Sequence, residues 1–291
     1  MINSPWRAGA LLLASAAVLT GCGGDGRAAD TRSPGAPAPE LSAEIVQLRR
    51  DQVLERVQVA VTNADAQQIT VERLRLVAPG YEKRGAVAKD SPIAPGTVVN
   101  LPWEYGAIAC APDGTARVGP PVVSLRVRTA DGASDVRLKP RDPERYLERI
   151  AERACAVERA SREVALRFAD EWRPGNVDTG VRLHGTLLAE LKVDQPREIS
   201  QVAGAIMYGL VPDESVTPVP NPLALLSPQA PTAEIPVVAY AARCDGHTKG
   251  EIKKPYEFLV WVGEPGAREP LALTPEVTQA TKEALQLACA F

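Results

Sequence analysis

Five cysteines carry the clearest chemistry in this chain: Cys22, Cys110, Cys155, Cys244 and Cys289. Cys110 to Cys155 and Cys244 to Cys289 span the same interval of 45 positions, and each interval ends in an Ala-Cys on a helical apolar pattern. Thiolate metal sites need short cysteine or histidine spacings, and the chain has none. Equal long intervals point instead to two disulfides, Cys110 with Cys155 and Cys244 with Cys289, formed in an oxidising compartment. In the chain-entropy account, closing a loop of this size is worth about 4 kcal/mol. Cys22 is left without a partner.

What precedes Cys22 gives it a different use. Arg7 supplies a positive start, Ala8 to Leu19 is an apolar run too short to span a bilayer, and Leu19-Thr20-Gly21-Cys22 closes it. The tetrapeptide resembles the lipobox of bacterial lipoproteins. That resemblance implies cleavage after residue 21, a diacylglycerol on the Cys22 sulfur, and attachment to the outer face of the cell membrane. Residues 22–40 are rich in Gly, Ala, Pro, Asp and Ser, with little to bury, and read as a flexible tether.

Other reactive side chains are few. The two histidines, His184 and His247, have no partner evident from spacing, and no Gly-x-Ser-x-Gly elbow supports a nucleophile. An exported hydrolase using His247 or His184 is therefore an alternative reading only. Asp245, His247 and Glu251 would face one way on a helical turn and could ligate a metal, which gives a second alternative, a solute- or metal-binding accessory lipoprotein. Gly246 and Gly250 bracket that stretch and favour a loop. Lys249, Lys253 and Lys254 form the densest cation cluster, suited to an anionic polymer or headgroup. Trp103, beside Pro102 and Tyr105, is the aromatic expected at the surface, whereas Trp261 is assigned to a core. Candidate ligand contacts are thus Trp103, Asp245, His247, Lys253 and Lys254, with no cofactor called for. Net charge is -3, from 33 Lys and Arg against 36 Asp and Glu intermixed along the chain, so nucleic acid is excluded as a partner.

The elements that position these residues are mostly strands. Residues 57–62 and 69–76 alternate apolar and polar around an Asn63-Ala64-Asp65-Ala66 turn, and read as an antiparallel hairpin. Residues 122–128 and 135–138 flank Asp131-Gly132 as another. Asp142-Pro143-Glu144 signals a helix start, with a buried stripe that includes Cys155, and Thr274-Pro275-Glu276 signals a second that carries Cys289. An ungapped match places Leu125 and Val127 on Leu259 and Trp261, and Ile199 falls on Ile69.

The expected fold is all-β with short helices: two tandem Ig-like β-sandwiches, residues 41–158 and 159–291, each closed by a C-terminal helix stapled by its own disulfide. Long alternating βα units, as a periplasmic-type solute-binding protein requires, are missing. With Ala242-Arg243-Cys244-Asp245 in the second repeat, the chain resembles uncharacterised two-domain lipoproteins and secreted proteins of actinobacteria. The expected function is a lipid-anchored, non-enzymatic binding or assembly module at the cell surface, its partner an envelope protein or polymer.

Overall fold

A computed structural model describes residues 39–177, 180–215, 218–251 and 254–289. Cys22, the leader and nearly all of the tether lie outside them. The first sandwich comprises β1 (Leu41–Val46), α1 (Arg49–Val53), β2 (Arg56–Asn63), β3 (Ile69–Val77), β4 (Val87–Ile93), β5 (Val98–Glu104), β6 (Val122–Thr129), β7 (Gly132–Leu138) and α2 (Tyr146–Glu163). The second comprises β8 (Val164–Phe168), β9 (Arg173–Val177), β10 (Gly180–Leu191), β11 (Arg197–Ala203), β12 (Tyr208–Pro212), β13 (Ala224–Leu226), β14 (Thr232–Ala241), α3 (Gly246–Glu251), β15 (Leu259–Gly263), β16 (Leu271–Leu273) and α4 (Gln279–Ala288).

Both are Ig-like sandwiches with the same strand order. In the first, a β1-β2-β5 sheet faces a β4-β3-β6-β7 sheet; in the second, β8-β10-β14 faces β13-β11-β15-β16, with β12 and β9 added to the former sheet. All strand pairs within these sheets are antiparallel. The repeat extends to small features. A bulge between Val71 and Arg73 recurs between Ile199 and Gln201. The isolated parallel bridge Glu44 to Arg141 recurs as Arg167 to Glu276.

Several sequence expectations change. Residues 57–62 and 69–76 are strands, but they do not form a hairpin: β2 pairs with β1 and β5, while β3 pairs with β4 and β6. The Asn63–Ala66 segment therefore crosses between sheets. Alternation marks a buried face and leaves the neighbour unspecified. Helix α2 begins later than Asp142, because Pro143-Glu144 closes a turn (Arg145 N–H to Asp142 C=O, 3.0 Å) and Arg145 is left-handed at φ 53°. The Asp142 carboxylate still caps it, accepting the amides of Tyr146 and Leu147 at 2.8 and 3.1 Å. Helix α4 likewise starts after Thr278, not Thr274, and the Thr278 hydroxyl accepts the Thr281 amide at 3.2 Å.

The largest correction is register. Ile199 pairs with Val262 as Val71 pairs with Val127, and Val202 pairs with Val260 as Leu74 pairs with Leu125. Ile199 is thus the counterpart of Val71, and Val127 falls on Val262 rather than on Trp261. A slip of one residue exchanges the two faces of a strand. It turns Trp261 outward, half-buried at the surface, and the second core is filled by Phe258, Val260 and Val262.

Helix α2 serves both cores. Leu147 and Ala151 pack with Ile45, Leu74, Trp103 and Leu125 in the first, and Ala160, near its C-terminal end, packs with Val164, Leu166 and Leu285 in the second. The expected division at 158/159 falls inside this helix.

Candidate functional site

The disulfides pair as the spacing predicts. Cys110 is bonded to Cys155 and Cys244 to Cys289, with Cα–Cα distances of 5.4 and 5.5 Å. Cys155 is fully buried on α2, and each bridge ties the segment between the fifth and sixth repeat strands to the closing helix. Four thiols are thereby consumed.

The candidate ligand contacts do not converge. Trp103 is 5% exposed and belongs to the first core, contrary to the expected surface position, because its place on β5 faces α2 and the opposite sheet. Asp245 accepts the Thr248 amide and hydroxyl at 2.9 and 2.7 Å, and so caps α3. The bracketing glycines therefore do not keep that stretch a loop. These hydrogen bonds, the Thr248 amide's first, hold the Asp245 carboxyl below its ordinary value. His247 lies exposed on α3. Lys254 is 3.6 Å from Glu257 in an exposed pair, and Lys253 lies outside the described residues. Among the described residues no group of three His, Cys, Asp or Glu side chains is arranged to hold a metal.

Sequence reasoning misses a partner for His184. Its Nδ1 lies 2.8 Å from Oδ2 of Asp213, which follows β12 and accepts the Ser215 amide through Oδ1 at 2.9 Å. The bond to His184 holds the Asp213 carboxyl below its usual range, against the opposing effect of burial. A general base needs such an orienting carboxylate, yet among the described residues no hydroxyl or thiol hydrogen-bonds this imidazole. Asp213 is 29 positions from His184, so spacing gives no sign of the pair.

No family model and no curated protein matches the chain. Among solved structures it is similar to a protein of unknown function from Porphyromonas gingivalis W83, at 12% identity and TM-score 0.22, over 82% of this chain and 99% of that one. It is also similar to the CsuC-CsuE chaperone and tip adhesion subunit pre-assembly complex of Acinetobacter baumannii, at 9% identity and TM-score 0.17, covering 77% and 93%. The B domain of a biofilm associated protein follows at 8% identity and TM-score 0.20, covering 82% and 83%.

The interior offers little for chemistry. Among the described residues, every buried side-chain nitrogen or oxygen has a hydrogen-bond partner. On the first sandwich a shallow groove of about 620 Å³ lies over β3, β6 and β7, lined by Glu72, Arg73, Arg75, Arg126, Asp135 and Arg137 among others. Sheet register assembles it. Arg75 lies opposite Ser124, and Ser124 opposite Arg137; Arg73 lies opposite Arg126, and Arg126 opposite Asp135. Two arginines are spent on carboxylates: Arg126 is 3.1 Å from Asp135, and Arg128 is 2.6 Å from Glu72, which the bulge leaves outside the ladder. Arg73, Arg75 and Arg137 are exposed and enter no ion pair among the described residues.

Proposed function

We propose that this chain is an extracytoplasmic binding or assembly module, held at the membrane by lipid on Cys22, that presents two Ig-like sandwiches to a partner in the cell envelope and is not an enzyme. The observation that carries the reading is the thiol accounting. Four cysteines close two disulfides, which fit an oxidising compartment, and Cys22 alone remains for the lipobox that it ends. Lipid fits the anchoring role because acyl methylenes each contribute about 0.8 kcal/mol in the bilayer. The sandwich interiors support binding over catalysis, since their polar groups are satisfied and their cores are apolar. This reading groups the chain with the two-domain actinobacterial lipoproteins that it resembles.

Fractionation of cells expressing the full chain and Cys22→Ala tests it. The wild-type chain is expected in the membrane fraction with fatty-acid label, and the variant in the soluble fraction without label. Membrane retention of a labelled variant overturns the anchor.

The His184–Asp213 pair favours a second reading, an exported hydrolase in which this imidazole activates water. It predicts ester or amide turnover by the purified chain that His184→Ala abolishes.

A further inference from the structure

We propose that the outer face of the β3-β6-β7 sheet in the first sandwich binds a linear polyol-phosphate chain, in which successive phosphates are received by Arg73 and Arg75 and a further phosphate by Arg137. The assignment gives the ligand class of the surface module and rests on that reading for its location, while the groove itself stands on geometry.

The second sandwich acts as an internal control. Its strands repeat the same register, so five groove residues have a counterpart there: Gln201 for Arg73, Ala203 for Arg75, Trp261 for Arg126, Leu259 for Ser124 and Ala272 for Asp135. None of these is charged. The fold is therefore built equally well without arginines at these places, and their clustering on one copy is not a requirement of packing. Nor do neighbouring carboxylates account for them, since Asp135 and Glu72 are engaged by Arg126 and Arg128. Three guanidinium groups remain unneutralised around one groove, in a chain whose net charge is -3. Like charges held close repel, and an anionic ligand relieves that cost.

Spacing narrows the ligand. Arg73 and Arg75 are two residues apart on one strand, about 6.8 Å, and Arg75 and Arg137 lie two strands apart with the Ser124 hydroxyl between them, about 10 Å. Guanidinium groups present fixed forks of donors that suit phosphate oxygens. Phosphates joined through a three-carbon polyol are six bonds apart, a reach of about 7 Å at most when extended, which matches the step along β3. A single phosphate would leave part of a groove of this length unfilled. The groove lining includes no aromatic side chain on which a nucleobase would stack, which disfavours nucleic acid.

The test uses the purified full chain and polyglycerol phosphate as probe, with titrations repeated on Arg73→Gln, Arg75→Ala and Arg137→Thr combined. The first two place the second sandwich's residues in the groove, and all three sites are exposed, so the melting temperature is expected to stay within a few degrees. Polyglycerol phosphate should bind the wild-type chain, with affinity falling roughly tenfold between 50 and 200 mM salt. The triple variant should lose at least tenfold in affinity and most of the salt dependence. Equal binding by the folded triple variant overturns the site. Tighter binding of polygalacturonate or duplex DNA than of polyglycerol phosphate overturns the ligand class, as does equal binding of inorganic phosphate. If the triple variant still reaches the membrane and crosslinks the same surface species in cells, the surface reading stands and the groove assignment falls.

Discussion

Glu163, the last residue of α2, receives both Nε and Nη2 of Arg197 on one carboxylate oxygen, at 2.9 and 2.8 Å. The side chains of Arg197 and Glu163 are only 12% and 18% exposed, so the pair is shielded from solvent and salt. It fastens the end of a helix that begins in the first core to the first residue of β11 in the second. Arg197→Ala leaves a largely buried carboxylate without its main partner and should cost about 1–3 kcal/mol. Calorimetry on Arg197→Ala, Glu163→Ala and the double variant measures the coupling. A double variant as destabilised as the sum of the singles would show that the pair does not join the two elements.

Asp51, on α1, is a fully buried acid. Its Oδ1 accepts Arg56 Nε and Gln58 Nε2 at 2.6 and 2.9 Å, and its Oδ2 accepts the Leu48 amide at 3.0 Å. Burial pushes the carboxyl up, but the bonds from Arg56, Leu48 and Gln58 outweigh it and hold the group below its ordinary value. A depressed folded pKa gives stability that is complete above the unfolded value of about 3.9 and is lost as pH falls through the folded value. Asp51→Asn should cost about 2–3 kcal/mol at pH 7, less than a fully buried pair because Arg56 retains 22% exposure. Urea unfolding from pH 7 to 3 should show wild type and variant drawing together below pH 4. A gap that stays constant over that range would remove the ionised carboxylate from the account.

Much of the fold is legible in the sequence, for reasons that also explain what is not. The disulfides are readable because an interval repeated in two copies is independent of how strands pair. The strands are readable because half-buried segments alternate. Their neighbours are not: β2 and β3 look like a hairpin, yet seven strands must divide between two layers, and a short link crosses between sheets as easily as it turns within one. The arginine groove is hidden for the same reason. Arg75 and Arg137 are far apart in sequence, and only the β3-β6-β7 register sets them two strands apart. The His184–Asp213 pair depends on contact between distant segments in the same way.

The exchange of roles between two tryptophans follows from strand parity and can be measured directly. Trp103 fills the first core at 5% exposure, whereas Trp261 lies on the outer face beside Gln201 and Ala272. Trp103→Ala should cost about 3–5 kcal/mol, the range for deleting a large buried aromatic. Trp261→Ala should cost less than about 1 kcal/mol, as at a surface position. Urea midpoints of the two variants compare them on one scale. A larger loss for Trp261→Ala would restore the ungapped register, with Val127 matched to Trp261.

The two bridges should be separable, because each joins a loop to the closing helix of its own repeat. Cys110 and Cys155 enclose β6 and β7, and Cys244 and Cys289 enclose β15 and β16. Removing a loop closure of 45 residues should cost up to about 4 kcal/mol, with measured losses in small exported domains of about 2–5 kcal/mol. Peptide mapping without reductant should recover the two intra-repeat crosslinks and no other. Replacing Cys110 and Cys155 together by Ala should lower stability while leaving the Cys244–Cys289 peptide pair intact. A crosslink from Cys110 to Cys244, or loss of the second bridge with the first, would mean that the thiols are shared between repeats and that the repeats do not close independently.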